Sequence, residues 1–414
     1  MQGHIQEGIN WYKGAKPRTH FKLLTLDASA KLSAKELRNF IQHIWGTVQS
    51  LKAGIVPSLG PEYPVDPKDL EVLIGYGHKF FERRDLALPT PEGMIPINRF
   101  PQPNTSGSRY VLPGAGIPYD DDIVENSADA ELVLQITANS ELAVNRAHVE
   151  ILKRLNDLTG FEGSDVPALI VKAAFDGFGR EDHRSWIDFH DGISNLRKGE
   201  ERRQVIAIKP DNSGGQTWTH NGTYMVFMRL PVNLQIWESI PEKNQEILVG
   251  RTKKSGCPIL RLDDTGNPVP DPRCPVTGTR EITESGNEQF REPSAVVSDE
   301  LKLSHVQRAN HHRSPVFKPD SRRIYRQGYE FVEAAEKTGQ YRVGLNFVSF
   351  QDDPDRVLFI LTQSDWLGNL SFGGDPDQQN DGIDKLVTAR AAGTYYVPPV
   401  QIDSAFPGAE MFPE

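Results

Sequence analysis

The order of the predicted elements favours an α+β fold made of two similar halves with antiparallel sheets. Each half runs strand, helix, strand, with few signs of the strict strand–helix–strand crossovers that build a parallel sheet. At 414 residues, the chain is long enough for two or three domains and a large apolar core. We predict two domains, residues 1–204 and 205–414. The second carries a long irregular insertion near 251–300, where Gly, Pro, Asp and Arg are dense.

The first half alternates apolar strand patterns with two amphipathic helices. Its predicted elements are a strand at 20–27, a helix at 33–51, strands at 70–76 and 130–136, and a helix at 140–158. Ser33 precedes Glu36 by three residues, which is the capping-box pattern at a helix start. Ser140 is a plausible N-cap for the second helix. The Pro- and Gly-rich stretch 87–122 is predicted to be a loop.

The second half repeats this order without repeating the residues. Its predicted elements are a strand beginning at Thr223 (TYMVFMRLPV), a helix at 233–248, a strand at 342–350, a helix at 355–367 and a last strand at 394–397. Pro354 stands just before the second of these helices, and Pro398 ends the last strand. The repeated order supports the interpretation as two domains of one architecture.

Composition and charge exclude several classes of function. The net charge of −10 argues against a nucleic acid partner, which usually requires a basic patch. No stretch approaches the roughly 18–20 apolar residues that span a bilayer, and the first residues show no apolar export signal. We therefore expect a cytoplasmic protein without a membrane partner, and a homo-oligomer stays open. Cys257 and Cys274 fit either a pair across a short loop or two free thiols, and free thiols are favoured.

Three separated stretches each supply one chemically important side chain. They are Asp191 in WIDFHDGISNL, His305 in LSHVQRANHHR and Arg326 in SRRIYRQGYEF. An imidazole ligand on one face, with an acid and a fixed positive charge on the other, is the set that a haem iron needs to split a peroxide. Taken alone, His305 fits a packed core histidine better, Asp191 also fits a turn cap, and Arg326 also fits a surface ion pair. Signatures of serine hydrolases, zinc proteases and P-loop enzymes are missing from the sequence.

The segments around these residues resemble those of the dye-decolourising peroxidase family. LSHVQRANHHR is similar to the segment that holds the family's axial histidine, IYRQGYEF to its arginine segment and DFHDG to its G-x-x-D-G signature. Further stretches match in the same order as in the family: NGTYMVFMRL, VGRTKKSGCPI, GLNFVSFQDDP, WLGN and GTYYVPP. The resemblance covers about residues 130–400, and the ordered set carries it, since each motif alone is weak.

The resemblance implies two ferredoxin-like domains, each with a four-stranded antiparallel sheet flanked by helices, and a haem b cofactor. It implies His305 as the axial ligand of the haem iron and Asp191 as the acid and base on the distal side. Arg326 would stabilise the negative charge that develops as the O–O bond breaks. The implied reaction reduces hydrogen peroxide and oxidises phenolic or dye-like organic donors.

Other residues are candidates for supporting roles, Asp353 by the same resemblance and Leu345 and Phe347 by their spacing on one strand. Asp353 is a candidate acceptor for the second ring N–H of His305, although a cap for the following helix is nearly as good a reading, and Asp352 could replace it. Leu345 and Phe347 face one side of their strand and form either an apolar wall over the haem or ordinary core packing.

The sequence departs from the family pattern at three places. Asp188 replaces the first glycine of G-x-x-D-G, Gln307 replaces an arginine two residues after the axial histidine, and His311 replaces a proline. We expect Arg308 or Arg313 to make the contact to a haem propionate that the family's arginine makes at the position of Gln307. The departures motivate two alternatives: a haem-binding or haem-handling protein with little turnover, and a specialised haem oxidase or peroxygenase that acts on one biosynthetic intermediate.

Overall fold

The computed structural model describes most of both halves of the chain. The described residues are 3–9, 17–94, 110–111, 118–119, 128–157, 167–191, 195–196, 199–272, 274, 301, 304–309, 323–335, 341–361, 386–387 and 390–413. No helix in these ranges is long and apolar enough to cross a membrane.

The first half forms a four-stranded antiparallel sheet with two helices. Its elements are β1 (His20–Ala28), α1 (Ala34–Lys52), β2 (Glu71–Gly77), β3 (Leu132–Ala138), α2 (Glu141–Asp157) and β4 (Leu169–Phe178). Hydrogen bonds join the strands in the order β4-β1-β3-β2. This is the strand order of a ferredoxin-like domain, with both helices on one face.

The second half repeats the same strand order. Its elements are α3 (Gly199–Ile206), β5 (Thr223–Val232), α4 (Leu234–Ser239), α5 (Glu242–Val249), α6 (His305–Ala309), β6 (Tyr325–Ala334), β7 (Tyr341–Gln351), α7 (Asp355–Leu361) and β8 (Ala391–Val397). The strands pair in the order β8-β5-β7-β6. The predicted fold of two ferredoxin-like α+β domains is therefore confirmed. The predicted boundary between residues 204 and 205 falls within α3 and stays a prediction.

The two sheets join edge to edge into a closed eight-stranded barrel. On one side Tyr395 and Tyr396 of β8 pair with the end of β2. On the other side a single pair, Glu330 of β6 with Phe178 of β4, closes the barrel. We call the β4–β6 junction the closing seam. One apolar cluster fills the barrel, a second lies beneath α1 and α2, and a third covers the outer face of the second sheet.

Local sequence signals explain most of these elements. Ser33 accepts a hydrogen bond from the Glu36 amide, and the Glu36 carboxylate accepts one from the Ser33 amide, so the predicted capping box is present. The predicted helix 233–248 is wrong as one helix, because Pro241 lacks the amide that would continue α4, and the chain restarts as α5. Residues 362–367 of the predicted helix after Pro354 lie outside the described residues.

The region 251–300 is more ordered at its start than we predicted. Strands Ile259–Leu262 and Pro268–Pro270 form a hairpin, which returns Cys274 to Cys257 with their Cα atoms 6.0 Å apart. The two cysteines form a disulfide, so the expectation of free thiols is wrong. Sequence could not show this because the hairpin, not the spacing, brings the two residues together.

Candidate functional site

The loop that carries Asp191 is a tight hairpin directly after β4. The Asp191 amide donates to the His183 carbonyl at 2.8 Å, and the Ser185 amide donates to the Phe189 carbonyl at 2.9 Å. Asp188, at the position of the family's glycine, has φ of +66°. The turn therefore uses the left-handed conformation that glycine favours, with an aspartate bearing the steric cost.

A second segment holds this hairpin in place. The Arg184 guanidinium donates to the Asp188 carbonyl at 2.5 Å and to the carbonyls of Lys253 and Lys254 at 2.9 and 3.0 Å. The Lys253 ammonium also lies 3.5 Å from the Asp188 carboxylate. The turn that follows α5 therefore supports the loop of the predicted distal acid.

The hairpin presents alternate residues to the outer face of the second sheet. Ile187 and Phe189 are buried there, and the Phe189 ring lies edge-on to Trp237 with centroids 6.0 Å apart. Residues two apart in extended chain face the same side, so Asp191 follows Phe189 toward this face while His190 faces away.

Asp191 meets Arg326 at the closing seam. The Arg326 Nη1 atom lies 3.7 Å from the Asp191 Oδ1 atom, and both side chains keep partial exposure, 30% and 46% respectively. The Asn195 side chain fixes the strand beneath them, because its amide donates to the Arg326 carbonyl at 2.7 Å and its oxygen accepts from the Arg326 amide at 3.1 Å. The structure thus brings together two of the three residues that the sequence singled out.

An apolar surface continues from this pair along the sheet. Gly328 lies opposite Phe347, and Glu330 lies opposite Leu345, in the register of β6 with β7. Residues directly opposite in an antiparallel pair project to the same face, so Leu345 and Phe347 share the face of Arg326. A Cβ atom on Gly328 would lie 3.0 Å from Leu345 Cδ1 and 3.7 Å from Asp191 Oδ2. The lack of a side chain at Gly328 therefore leaves space on the sheet surface beside Asp191.

His305 is the first residue of the short helix α6. Ala309, one helical turn later, packs against the same apolar cluster as Phe347. Side chains four residues apart lie on the same face of a helix, so His305 belongs to the face of α6 that meets this cluster. The turn at Gly250 packs closely against Ser304 and Val306, the two residues on either side of His305. A Cβ atom on Gly250 would lie 2.5 Å from Ser304 Oγ and from Val306 Cγ2.

The two aspartates after β7 have contacts of their own. Asp353 Oδ1 accepts a hydrogen bond from the Asp355 amide at 3.0 Å, which caps the start of α7. This contact supports the capping interpretation that the sequence left open. Asp352 is buried and accepts from Arg356 Nε at 2.6 Å, with Lys209 Nζ at 3.4 Å. A role for Asp353 toward His305 stays a prediction.

The structure describes only some of the residues near the predicted propionate contacts. Arg308 lies in α6, and its side chain is outside the described residues, as are Arg313 and His311. Gln307, which replaces the family's arginine, is buried. The two arginines therefore stay predictions.

Arg251 is a residue of this site that the sequence analysis did not single out. It is buried, and its Nη1 donates to the Gly256 carbonyl at 2.8 Å. Burial, together with the positive charge of Arg326, lowers the pKa of Arg251 to about 10. The sequence feature that could have identified Arg251 is its place in the matched stretch VGRTKKSGCPI. Asn195 could have been identified in the same way, because it lies in the matched stretch around Asp191.

The residues present fit a haem group. A haem needs an apolar wall, an imidazole for the iron and polar groups near the oxygen-binding side. This face offers Leu345 and Phe347 as a wall, an open floor at Gly328 and the Asp191–Arg326 pair. These groups match the apolar wall and the polar groups that a haem site needs, and His305 of α6 would supply the imidazole.

The fold and this face define a two-domain α+β protein with an acid–arginine pair beside an apolar sheet surface. The family profile described as "Dyp-type peroxidase, C-terminal" matches residues 182–402, just over half of the chain. The chain belongs to the Dyp-type peroxidase family.

Other proteins are similar to this chain in sequence or in fold. Deferrochelatase from Shigella flexneri serotype 5b is 23% identical over 295 residues, which are 70% of this chain and 60% of the relative. The chain thus spans about 60% of the length of that curated relative. A DyP-type peroxidase from Streptomyces coelicolor superposes with a TM-score of 0.68 at 21% identity, covering 100% of this chain and 96% of the other. A variant of DypB from Rhodococcus jostii RHA1 in complex with heme has a TM-score of 0.56 at 17% identity, covering 93% and 94%.

Proposed function

We propose that this protein is a haem b peroxidase that reduces hydrogen peroxide and oxidises phenolic or dye-like organic donors. The observation that carries the proposal is the Asp191–Arg326 pair, 3.7 Å apart on an apolar sheet face to which α6 also packs. Family membership and the heme bound to the DypB variant support haem as the cofactor.

When bound, haem would supply an iron that takes the peroxide and accepts its two oxidising equivalents. In this proposal His305 would bind the haem iron through one ring nitrogen, and Asp353 would accept the N–H of the other. Leu345 and Phe347 would line the haem, and Arg308 and Arg313 would contact its propionates. These assignments rest on the matched motifs.

In this proposal one distal residue transfers the proton and the other stabilises the developing charge. Asp191 takes the proton from one peroxide oxygen and returns it to the departing oxygen. Arg326 lies beside that carboxylate and stabilises the negative charge that develops as the bond breaks. Asn195 keeps the Arg326 backbone fixed, so the guanidinium acts from a preorganised position.

The partners and the location follow from the same proposal. The partners are hydrogen peroxide and an organic electron donor, without nucleic acid or membrane. A homo-oligomer stays open, and cytoplasmic location stays a prediction. The disulfide between Cys257 and Cys274 weighs against the last of these, because disulfides are rare in a reducing cytosol.

Two measurements test the proposal. Haem titration of the purified protein should give a Soret band that His305→Ala loses, and retention of an identical band in this variant would refute the ligand assignment. Rapid mixing of the ferric protein with one equivalent of peroxide should change the spectrum quickly. Asp191→Asn and Arg326→Leu should each slow this step by about 10²-fold or more, while Arg261→Leu, at an exposed position, should leave it unchanged.

A second candidate is a haem-handling protein with little peroxide turnover. The curated relatives are named Deferrochelatase, and Asp188 and Gln307 depart from the family pattern at the predicted haem site. Tight haem binding without any spectral change on addition of peroxide would favour this candidate over the peroxidase.

A further inference from the structure

Glu330 is a buried acid on the same sheet face as Arg326. It lies four residues after Arg326 on β6, opposite Leu345 of β7, and forms the single residue pair with Phe178 that closes the barrel. Only 7% of the residue is exposed. Glutamate is almost never buried to this extent unless it is paired.

Glu330 lacks such a partner within the described part of the chain. No hydrogen bond or ion pair joins its carboxyl group to another described residue, and its oxygens keep part of the small exposure of the residue. Burial, together with the charges of Asp191 and Asp182, raises the pKa of Glu330 to about 8, against the opposing charge of Arg180. The acid is therefore held in its neutral form at neutral pH.

Charged groups lie on two sides of Glu330. Asp191 and Arg326 lie toward the proposed haem face. Arg180 and Asp182, an ion pair in the loop after β4, lie toward solvent. They line a groove of about 1040 Å³ together with Phe178, the strand partner of Glu330. Glu330 thus stands between an open, polar groove and the acid of the site.

We propose that Glu330 acts through Asp191 as a proton store, taking protons from the groove and passing them toward the distal side during turnover. The inference rests on the proposed peroxidase function. Reduction of the peroxide, H₂O₂ + 2 H⁺ + 2 e⁻ → 2 H₂O, consumes two protons at the site. The two electrons come from two phenolic donor molecules, each of which releases one proton as it becomes a radical. Breaking the O–O bond needs only the transfer of one proton between the two oxygens by Asp191, whereas completing the cycle needs both new protons.

This division of labour predicts different effects on two steps. In Glu330→Gln the side chain keeps its shape and cannot pass on a proton. The reaction with one equivalent of peroxide should stay within about twofold of wild type, because Asp191 is intact. Steady-state turnover with a phenolic donor should fall by about tenfold or more, with a larger solvent deuterium isotope effect. Glu238→Gln, at an exposed glutamate of α4, should change neither rate.

Infrared spectroscopy tests the neutral acid without relying on activity. The carbonyl band of a protonated carboxyl group should be present at pH 7, should disappear with a midpoint near pH 8, and should be missing from Glu330→Gln. Glu330→Asp shortens the relay and should recover part of the turnover.

The outcomes separate the inference from the proposed function. Wild-type protein that binds haem and does not react with peroxide would refute the proposed function and this inference with it. Active wild type with an equally active Glu330→Gln variant would refute the inference alone. Equal slowing of both steps in that variant would also overturn it, since a structural defect would then explain the loss. A variant that folds poorly would leave the infrared band of wild type to decide.

Discussion

Replacing Glu330 by glutamine should change how the stability of the folded protein depends on pH. Burial raises the pKa of Glu330 from its usual 4.5 to about 8. Between these values the folded protein holds a proton that the unfolded chain has released. Stability falls with rising pH wherever the folded state binds more protons. Wild type should therefore lose stability from about pH 4.5 to about pH 8, and glutamine removes this loss.

The size of the effect follows from the same values. One pKa unit corresponds to about 1.36 kcal/mol, so a rise from 4.5 to about 8 corresponds to about 4.8 kcal/mol at full ionisation. Water from the neighbouring groove will solvate part of the charge and reduce this figure, and we expect about 2–5 kcal/mol. The buried amide of glutamine adds a cost of about 1–3 kcal/mol, which is independent of pH. The informative quantity is thus the slope against pH rather than the difference at one pH.

Urea unfolding of the haem-free protein at several pH values from 5 to 9 measures this slope. The free energy of unfolding of Glu330→Gln, relative to wild type, should rise with pH and level off above about pH 8. Glu238→Gln should run parallel to wild type. Parallel curves for Glu330→Gln and wild type would show that Glu330 ionises normally and would refute the reasoning.

Three further changes have expected outcomes. Asp188→Gly should stabilise the protein by about 1 kcal/mol, seen as a higher thermal midpoint, because glycine adopts the positive φ without strain. Reducing the disulfide between Cys257 and Cys274 should cost about 3 kcal/mol in urea unfolding, because a link across 17 residues is lost. Asn195→Ala should slow the peroxide reaction by about tenfold with unchanged haem affinity, because two hydrogen bonds to the Arg326 backbone are lost.

Each of these has a result that counts against it. A lower thermal midpoint in Asp188→Gly would mean that the ion pair with Lys253 outweighs the backbone strain. An unchanged urea midpoint after reduction, with thiol release confirmed, would show that the hairpin holds without the disulfide. Loss of haem affinity in Asn195→Ala would assign this residue to binding rather than to positioning Arg326.

The sequence predicted those elements that are specified by residues close together along the chain. The capping box at Ser33 and the apolar spacing after it located α1 to within a residue. The strand β4 was missed, because its exposed and half-buried residues alternate poorly and its pairing with β1 is long-range. The Cys257–Cys274 link was missed for a similar reason, since it depends on a hairpin within a segment that looked irregular.

The candidate site was predictable only in part. The motifs nominated Asp191 and Arg326, and the structure places their side chains 3.7 Å apart. Nothing in the sequence marked Glu330, because a glutamate in a strand is ordinarily expected on a solvated face. Its burial is a property of the closed barrel rather than of its neighbours along the chain.

The position of the site at the closing seam accounts for this limit. The first sheet ends at β4, whose following loop carries Asp191, and the second sheet ends at β6, which carries Arg326 and Glu330. Each half alone would leave its edge strand unpaired and its charged residue in water. Closure through the pair of Glu330 with Phe178 brings Asp191 to Arg326 and also buries most of Glu330. Closure of the barrel therefore both brings Asp191 to Arg326 and buries Glu330, so one strand carries the proposed charge-stabilising residue and the proposed proton store.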